Sequence, residues 1–213
     1  DAKGINEFAV CGLSGGGPYA LACAFYLQGR VVAATILGGV APAAGADAAE
    51  GGISKLARRF SPVVKHLRVP VNFLMVRLIR RLEPHADKAV DLFARFMPPG
   101  DKAMFEDPAL RAMLQDDLML GSRKQVQAMV HDVVMFGKDW GFPLSKIETP
   151  VYLLYGNADN IVPVGHGKHM AARIPNAVFR EREGEGHMGG LAASEEIFND
   201  LLSHWPRRKS KQR

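Results

Sequence analysis

Phe8-Ala9-Val10-Cys11-Gly12-Leu13-Ser14-Gly15-Gly16-Gly17-Pro18-Tyr19-Ala20-Leu21-Ala22-Cys23-Ala24 is the stretch that decides the fold. The apolar run Phe8 to Cys11 has the character of a strand, and Pro18 to Ala24 that of a helix. Between them Gly12-Leu13-Ser14-Gly15-Gly16 spells Gly-x-Ser-x-Gly, a strand–turn–helix junction that forces a serine onto a sharp, strained turn with its hydroxyl exposed. Glycine at Gly12 and Gly16 is expected to remove Cβ atoms that would collide where strand and helix pass close together. The backbone N–H of Gly15, the residue after the serine, is in position to donate to an oxyanion. The same residues also read as a Gly-rich turn whose serine merely caps the helix, or as a loop that cradles phosphate. Neither a G-x-G-x-x-G nor a G-x-x-x-x-G-K-[ST] pattern can be read here, which counts against phosphate.

Two later segments add to the first. In Pro150-Val151-Tyr152-Leu153-Leu154-Tyr155-Gly156-Asn157-Ala158-Asp159, the apolar run Val151 to Tyr155 reads as a buried parallel strand. It ends at Gly156, and Asp159 follows in the loop. Ala177 to Phe179 open a short strand, and Glu183-Gly184-Glu185-Gly186-His187-Met188-Gly189-Gly190 comes after it. Taken singly, Asp159 is a turn residue or helix cap and His187 a surface-loop histidine. Taken together, serine, aspartate and histidine stand in the chain order of one hydrolase architecture, each at a strand's C-terminal end. That order differs from those of two unrelated serine protease folds.

On these stretches, together with Val31 to Pro42 as the next strand, the chain resembles the α/β-hydrolase fold family, of the cap-bearing, serine-nucleophile kind. The resemblance implies an α/β fold with a mostly parallel sheet, flanking helices and a helical cap insertion. It implies Ser14 as nucleophile, Asp159 as acid and His187 as base, with Gly15 N–H as half of the oxyanion hole. An acid from the loop after the strand ending near Leu37 is the alternative to Asp159. Relatives that open epoxides or remove halide carry aspartate at the elbow, so Ser14 argues against those reactions. Family members also carry four strands and an oxyanion loop before the elbow, whereas thirteen residues precede Ser14 here. The chain is therefore expected to be the C-terminal portion of a longer protein, with the missing N-terminal segment as its partner and a signal or anchor upstream left open.

Composition sets the class. Of 213 residues, 47% are hydrophobic and 23% charged, as in a globular enzyme. The net charge of +5 comes from the tail Arg207-Arg208-Lys209-Ser210-Lys211-Gln212-Arg213, which holds five of the 27 basic residues and leaves a neutral body. Nucleic acid as a partner therefore finds little support. No window of 18 apolar residues exists to form a transmembrane segment. Cys11 and Cys23 read as small buried residues, compatible with a reducing, cytoplasmic compartment. His166 and His169, three apart with no further ligand group, read as surface histidines, so no metal and no organic cofactor is expected.

Along the chain, residues 1–42 read as the elbow half of the core, 43–145 as a helical cap, 146–206 as the C-terminal core and 207–213 as a basic tail. The cap is broken by prolines. Asp107-Pro108 opens a helix to about Leu120, and Ser122-Arg123-Lys124-Gln125 is a capping box that opens another. Seven of nine methionines and seven of eleven phenylalanines, Met129 among them, lie between 43 and 145. They line an adaptable apolar pocket or serve ordinary helix packing. Arg68, Arg77, Arg80 and Arg81 among apolar residues read as a solvated cap helix with snorkelling arginines, a membrane-surface helix or a grip on an acidic group. The function that results is a serine hydrolase acting on a small-molecule, ester-like acyl substrate of apolar character through an acyl-enzyme, with the cap setting substrate choice. Alternatives are a non-catalytic ligand receptor or scaffold of the same fold, and a peptidase.

Overall fold

Strand residues here alternate between two buried faces, and that alternation builds the sheet. In the computed structural model, residues 3–49 and 85–205 are described, with helical positions 73–74, 77–78 and 81 between them. Arg68, Arg80 and the tail 207–213 lie outside the described residues, as does the side chain of Met129.

The elements are β1 (Phe8–Leu13), α1 (Gly16–Tyr26), β2 (Val31–Leu37), α2 (Ala86–Arg95), α3 (Pro99–Glu106), α4 (Pro108–Phe136), a 3-10 turn (Leu144–Lys146), β3 (Val151–Gly156), α5 (Gly165–Ala171), β4 (Ala177–Arg182), α6 (Gly189–Ala192) and α7 (Ser194–Ser203). The four strands form one parallel sheet in the order β1-β2-β3-β4. Ala34, Ile36, Val151, Leu153 and Tyr155 point to one face, where Leu21 and Ala24 of α1 and Met170 of α5 cover them. Ala33, Leu37, Tyr152 and Leu154 point to the other, against Ala193, Ile197 and Leu201. A parallel sheet covered on both faces needs apolar residues at successive positions. Val151 to Tyr155 supply them, and all five are buried. This is the expected α/β architecture.

Three details differ from the sequence expectations. The glycines that allow close approach at the elbow are Gly12 and Gly17. A Cβ on Gly12 would run into the Gly16 carbonyl, and one on Gly17 would lie 2.9 Å from Gly39 Cα, whereas a Cβ on Gly16 meets nothing. The second helix break is absent: α4 runs unbroken through Gly121 and Ser122. With no proline there, the ladder continues through a capping box that would otherwise start a helix. Asp107 caps α4 as expected, its Oδ1 accepting from Ala109 N–H at 2.8 Å and Leu110 N–H at 3.2 Å. Cys11 is exposed and Cys23 half-buried, because β1 is an edge strand among the described residues.

The end of α4 returns to the sheet through aromatic packing. Phe25 of α1 stacks on Phe142 with centroids 5.1 Å apart, and Trp140 leans on the same ring. Among the described residues, no helix is long and apolar enough to cross a membrane.

Candidate active site

The three candidate residues leave the C-terminal ends of parallel strands, the edge at which α/β sheets commonly present ligands. Ser14 follows β1 directly and has φ +53°, the only non-glycine with positive φ among the described residues. Such a conformation costs about 1–3 kcal/mol and persists only where the surroundings enforce it. Here Ser14 N–H donates to Leu37 O at 2.8 Å, while Gly17 N–H and Val40 N–H donate to Ser14 O at 3.0 and 3.4 Å. The turn is thus clamped between β2 and the start of α1. Gly15 leads α1, where the first N–H groups have no intrahelical partner and can face an anion.

Asp159 and His187 are bonded to each other. Asp159 Oδ1 accepts from Ile161 N–H and Val162 N–H, both at 2.8 Å, which fixes the carboxylate. Its Oδ2 lies 2.7 Å from His187 Nδ1. The Asp159 side chain is wholly buried and that of His187 is 8% exposed, so water competes weakly for this bond. A carboxylate facing Nδ1 selects the tautomer with the proton there and leaves Nε2 as the acceptor. The segment after β2, named above as an alternative source of the acid, presents Gly38 instead. With φ +50°, a Cβ there would lie 3.2 Å from both Asp159 Oδ2 and His187 Nδ1. Glycine at that position leaves room for the pair. No hydrogen bond joins Ser14 Oγ to His187; before substrate binds, such contacts are commonly long and tighten in the complex.

Gly38 to Ala41 is itself held from below. Tyr155 Oη donates to Gly39 O at 2.6 Å, and burial holds that phenol well above its usual range. Ala41 N–H donates to His166 Nδ1 at 3.0 Å. His166 is buried and not on the surface, and burial first, then nearby His169, pushes its pKa down, so the ring stays neutral. His169 Nε2 lies 2.8 Å from Asp47 O. Both histidines therefore tie backbone segments together. No His, Cys, Asp or Glu cluster able to hold a metal occurs among the described residues.

The long helix reaches the elbow at its end. Phe136 closes α4, and a Cβ on Gly15 would meet its ring at 3.1 Å. Tyr19 of α1 packs edge-on to Phe136 and donates to Asp132, whose carboxylate pushes the phenol up to about 12. Phe136 thus forms an apolar wall beside Gly15. Its place was not legible locally, because the meeting of α4 with α1 spans more than a hundred residues.

The sequence profile of the family described as Serine aminopeptidase, S33, matches residues 2–188. Over 64 residues the chain is 36% identical to rhodomycin D methylesterase DnrP of Streptomyces peucetius, a stretch covering 30% of this chain and 22% of that protein. In structure it is similar to MGS-M2, an alpha/beta hydrolase enzyme from a Medee basin deep-sea metagenome library. The TM-score is 0.59 at 14% identity, over 95% of this chain and 66% of that one. It is also similar to the esterase RhEst1 from Rhodococcus sp. ECU1013, with a TM-score of 0.57 at 21% identity, over 95% of this chain and 68% of that one. The chain thus spans about two thirds of these solved structures, which share its fold.

Proposed function

The chain belongs to the serine aminopeptidase S33 family of α/β-hydrolases, and on that footing we propose that it hydrolyses an ester of apolar character through an acyl-enzyme on Ser14. The observation that carries this reading is the buried His187–Asp159 pair, 2.7 Å apart at the strand ends beside the strained serine turn. Ser14 Oγ attacks the ester carbonyl as His187 Nε2 takes its proton. The oxyanion that forms is met by Gly15 N–H. The alcohol leaves with the proton from His187, and the acyl group stays on Ser14. Water then attacks the acyl carbon, His187 again takes a proton, and the acid departs as Ser14 Oγ is reprotonated. Asp159 holds the ring in its tautomer and stabilises the imidazolium. Phe136 beside the elbow favours an apolar group, and the methylesterase among the relatives favours an ester bond.

A peptidase is the second reading, because the family description names an aminopeptidase. A panel of nitrophenyl esters of increasing acyl length and of aminoacyl anilides separates the two in the full-length protein. Ester turnover should exceed anilide turnover, and Ser14→Ala should abolish it, by up to ~10⁶-fold in kcat, with the melting temperature little changed. Dominant anilide turnover selects the peptidase, and ester turnover that survives Ser14→Ala removes the assignment. Binding without turnover of either class points to a receptor.

A further inference from the structure

The loop carrying His187 is held partly by the chain just after β3. Ala158 N–H donates to Glu185 O at 3.0 Å, and Gly184 N–H donates to Asn157 Oδ1 at 2.9 Å. Another hold comes from the helical region between β2 and β3. Asp101 Oδ1 accepts from Gly186 N–H at 3.1 Å and from Met188 N–H at 3.2 Å. These are the two amides flanking His187. One carboxylate oxygen therefore pins the backbone on both sides of that residue.

An acidic residue in a helix's first turn ordinarily serves the helix dipole from solvent. Asp101 does not fit that description, because it is fully buried. Its Oδ2 is buried without a hydrogen-bond partner, a costly arrangement that solvent exposure would avoid. The approach is built from both sides. A Cβ on Gly186 would collide with Asp101 Oδ2, and one on Gly100 would lie 2.9 Å from Gly184 O. Glycine at both places lets α3 and the histidine loop come within hydrogen-bonding distance.

We propose that Asp101 is a positioning residue for His187, through which the helical region holds the base in register with Asp159. This rests on the reading of His187 as the base. It gives the region between β2 and β3 a part in the rate as well as in substrate choice.

Amide exchange in the unaltered protein tests the hold directly. Gly186 and Met188 amides should be protected, should lose protection in Asp101→Ala, and should keep it in Asp101→Asn, whose amide oxygen still accepts. Asp101→Ala should lower kcat and the rate of fluorophosphonate labelling at Ser14 by about 10²-fold with KM little changed, the scale of an ångström's misplacement. Asp101→Asn should stay within about threefold, since both N–H bonds persist. Free exchange of the two amides in the unaltered protein overturns the proposal without any variant. So does an Asp101→Ala protein with undiminished kcat and labelling. An unaltered protein that is never labelled at Ser14 overturns the hydrolytic reading instead, and the exchange measurement still decides whether Asp101 holds the loop.

Discussion

Tyr155 and Phe136 are both aromatic residues beside the candidate site, and the chain uses them differently. Tyr155 sits in the sheet, 1% exposed, packed on both flanks and bonded through its hydroxyl to Gly39 O. Phe136 ends a helix, half-buried, and meets the elbow at Gly15 and Tyr19. The two regions differ in the same way. In the sheet region, Ser14 and Asp159 are each fixed by several hydrogen bonds to backbone groups and His187 is bonded to Asp159, so a change there should act on the whole reaction. The helical region reaches the site at a few points, Phe136 and Asp101 among them, so a change there should act on one property at a time.

The sharpest break of this contrast would come at Asp159. Asp159→Asn leaves its oxygen on the Ile161 and Val162 amides and turns an NH2 donor towards His187 Nδ1, which selects the wrong tautomer, and kcat should fall by ~10⁴-fold, as for the equivalent change in another triad. A near-normal rate would mean that the sheet region does not supply the acid. Phe136→Ala should be milder and selective. Loss of the apolar wall should shift the ratio of kcat/KM between long and short acyl esters by about tenfold, while fluorophosphonate labelling of Ser14 changes little. Equal loss across all esters would place Phe136 with the sheet residues.

The smallest effect concerns pH. His166 accepts from Ala41 N–H only when neutral, and its pKa is lowered in the fold. The unfolded chain therefore takes up the proton first as pH falls. The stabilisation is complete above the unfolded value of about 6.5 and is lost as pH drops from there through the lower folded value, at up to ~1.4 kcal/mol per pH unit. His166→Gln removes this contribution. Urea midpoints on either side of pH ~6.5 should fall more steeply in the unaltered protein than in the variant; parallel curves would show that the bond contributes nothing.

What could be read from sequence follows the same division. The Gly-x-Ser-x-Gly turn, the run Val151 to Tyr155 and the loop around His187 are local patterns, because strand alternation and a tight turn are enforced by near neighbours. Chain order pairs Asp159 with His187, and the two are bonded. The sequence motif points to Gly16 and not to Gly17, since the neighbours that decide it, Ile36 and Gly39, lie on the next strand and just beyond it. His166 reads from sequence as a surface residue, because nothing in its own helix shows that α5 packs onto the segment after β2. Asp101 carries no local signal in the sequence, and only the tertiary fold brings it to Gly186 and Met188. Local patterns carried the candidate chemistry, and long-range packing carried its support.

The central claim is that Ser14 is the nucleophile, activated by the His187–Asp159 pair. Its most direct test is peptide mapping of the full-length protein after treatment with a fluorophosphonate. A phosphonyl adduct is expected on the peptide containing Ser14, strongly slowed in His187→Ala and absent from Ser14→Ala. An adduct on a different residue, or equal labelling of Ser14 without His187, would contradict it.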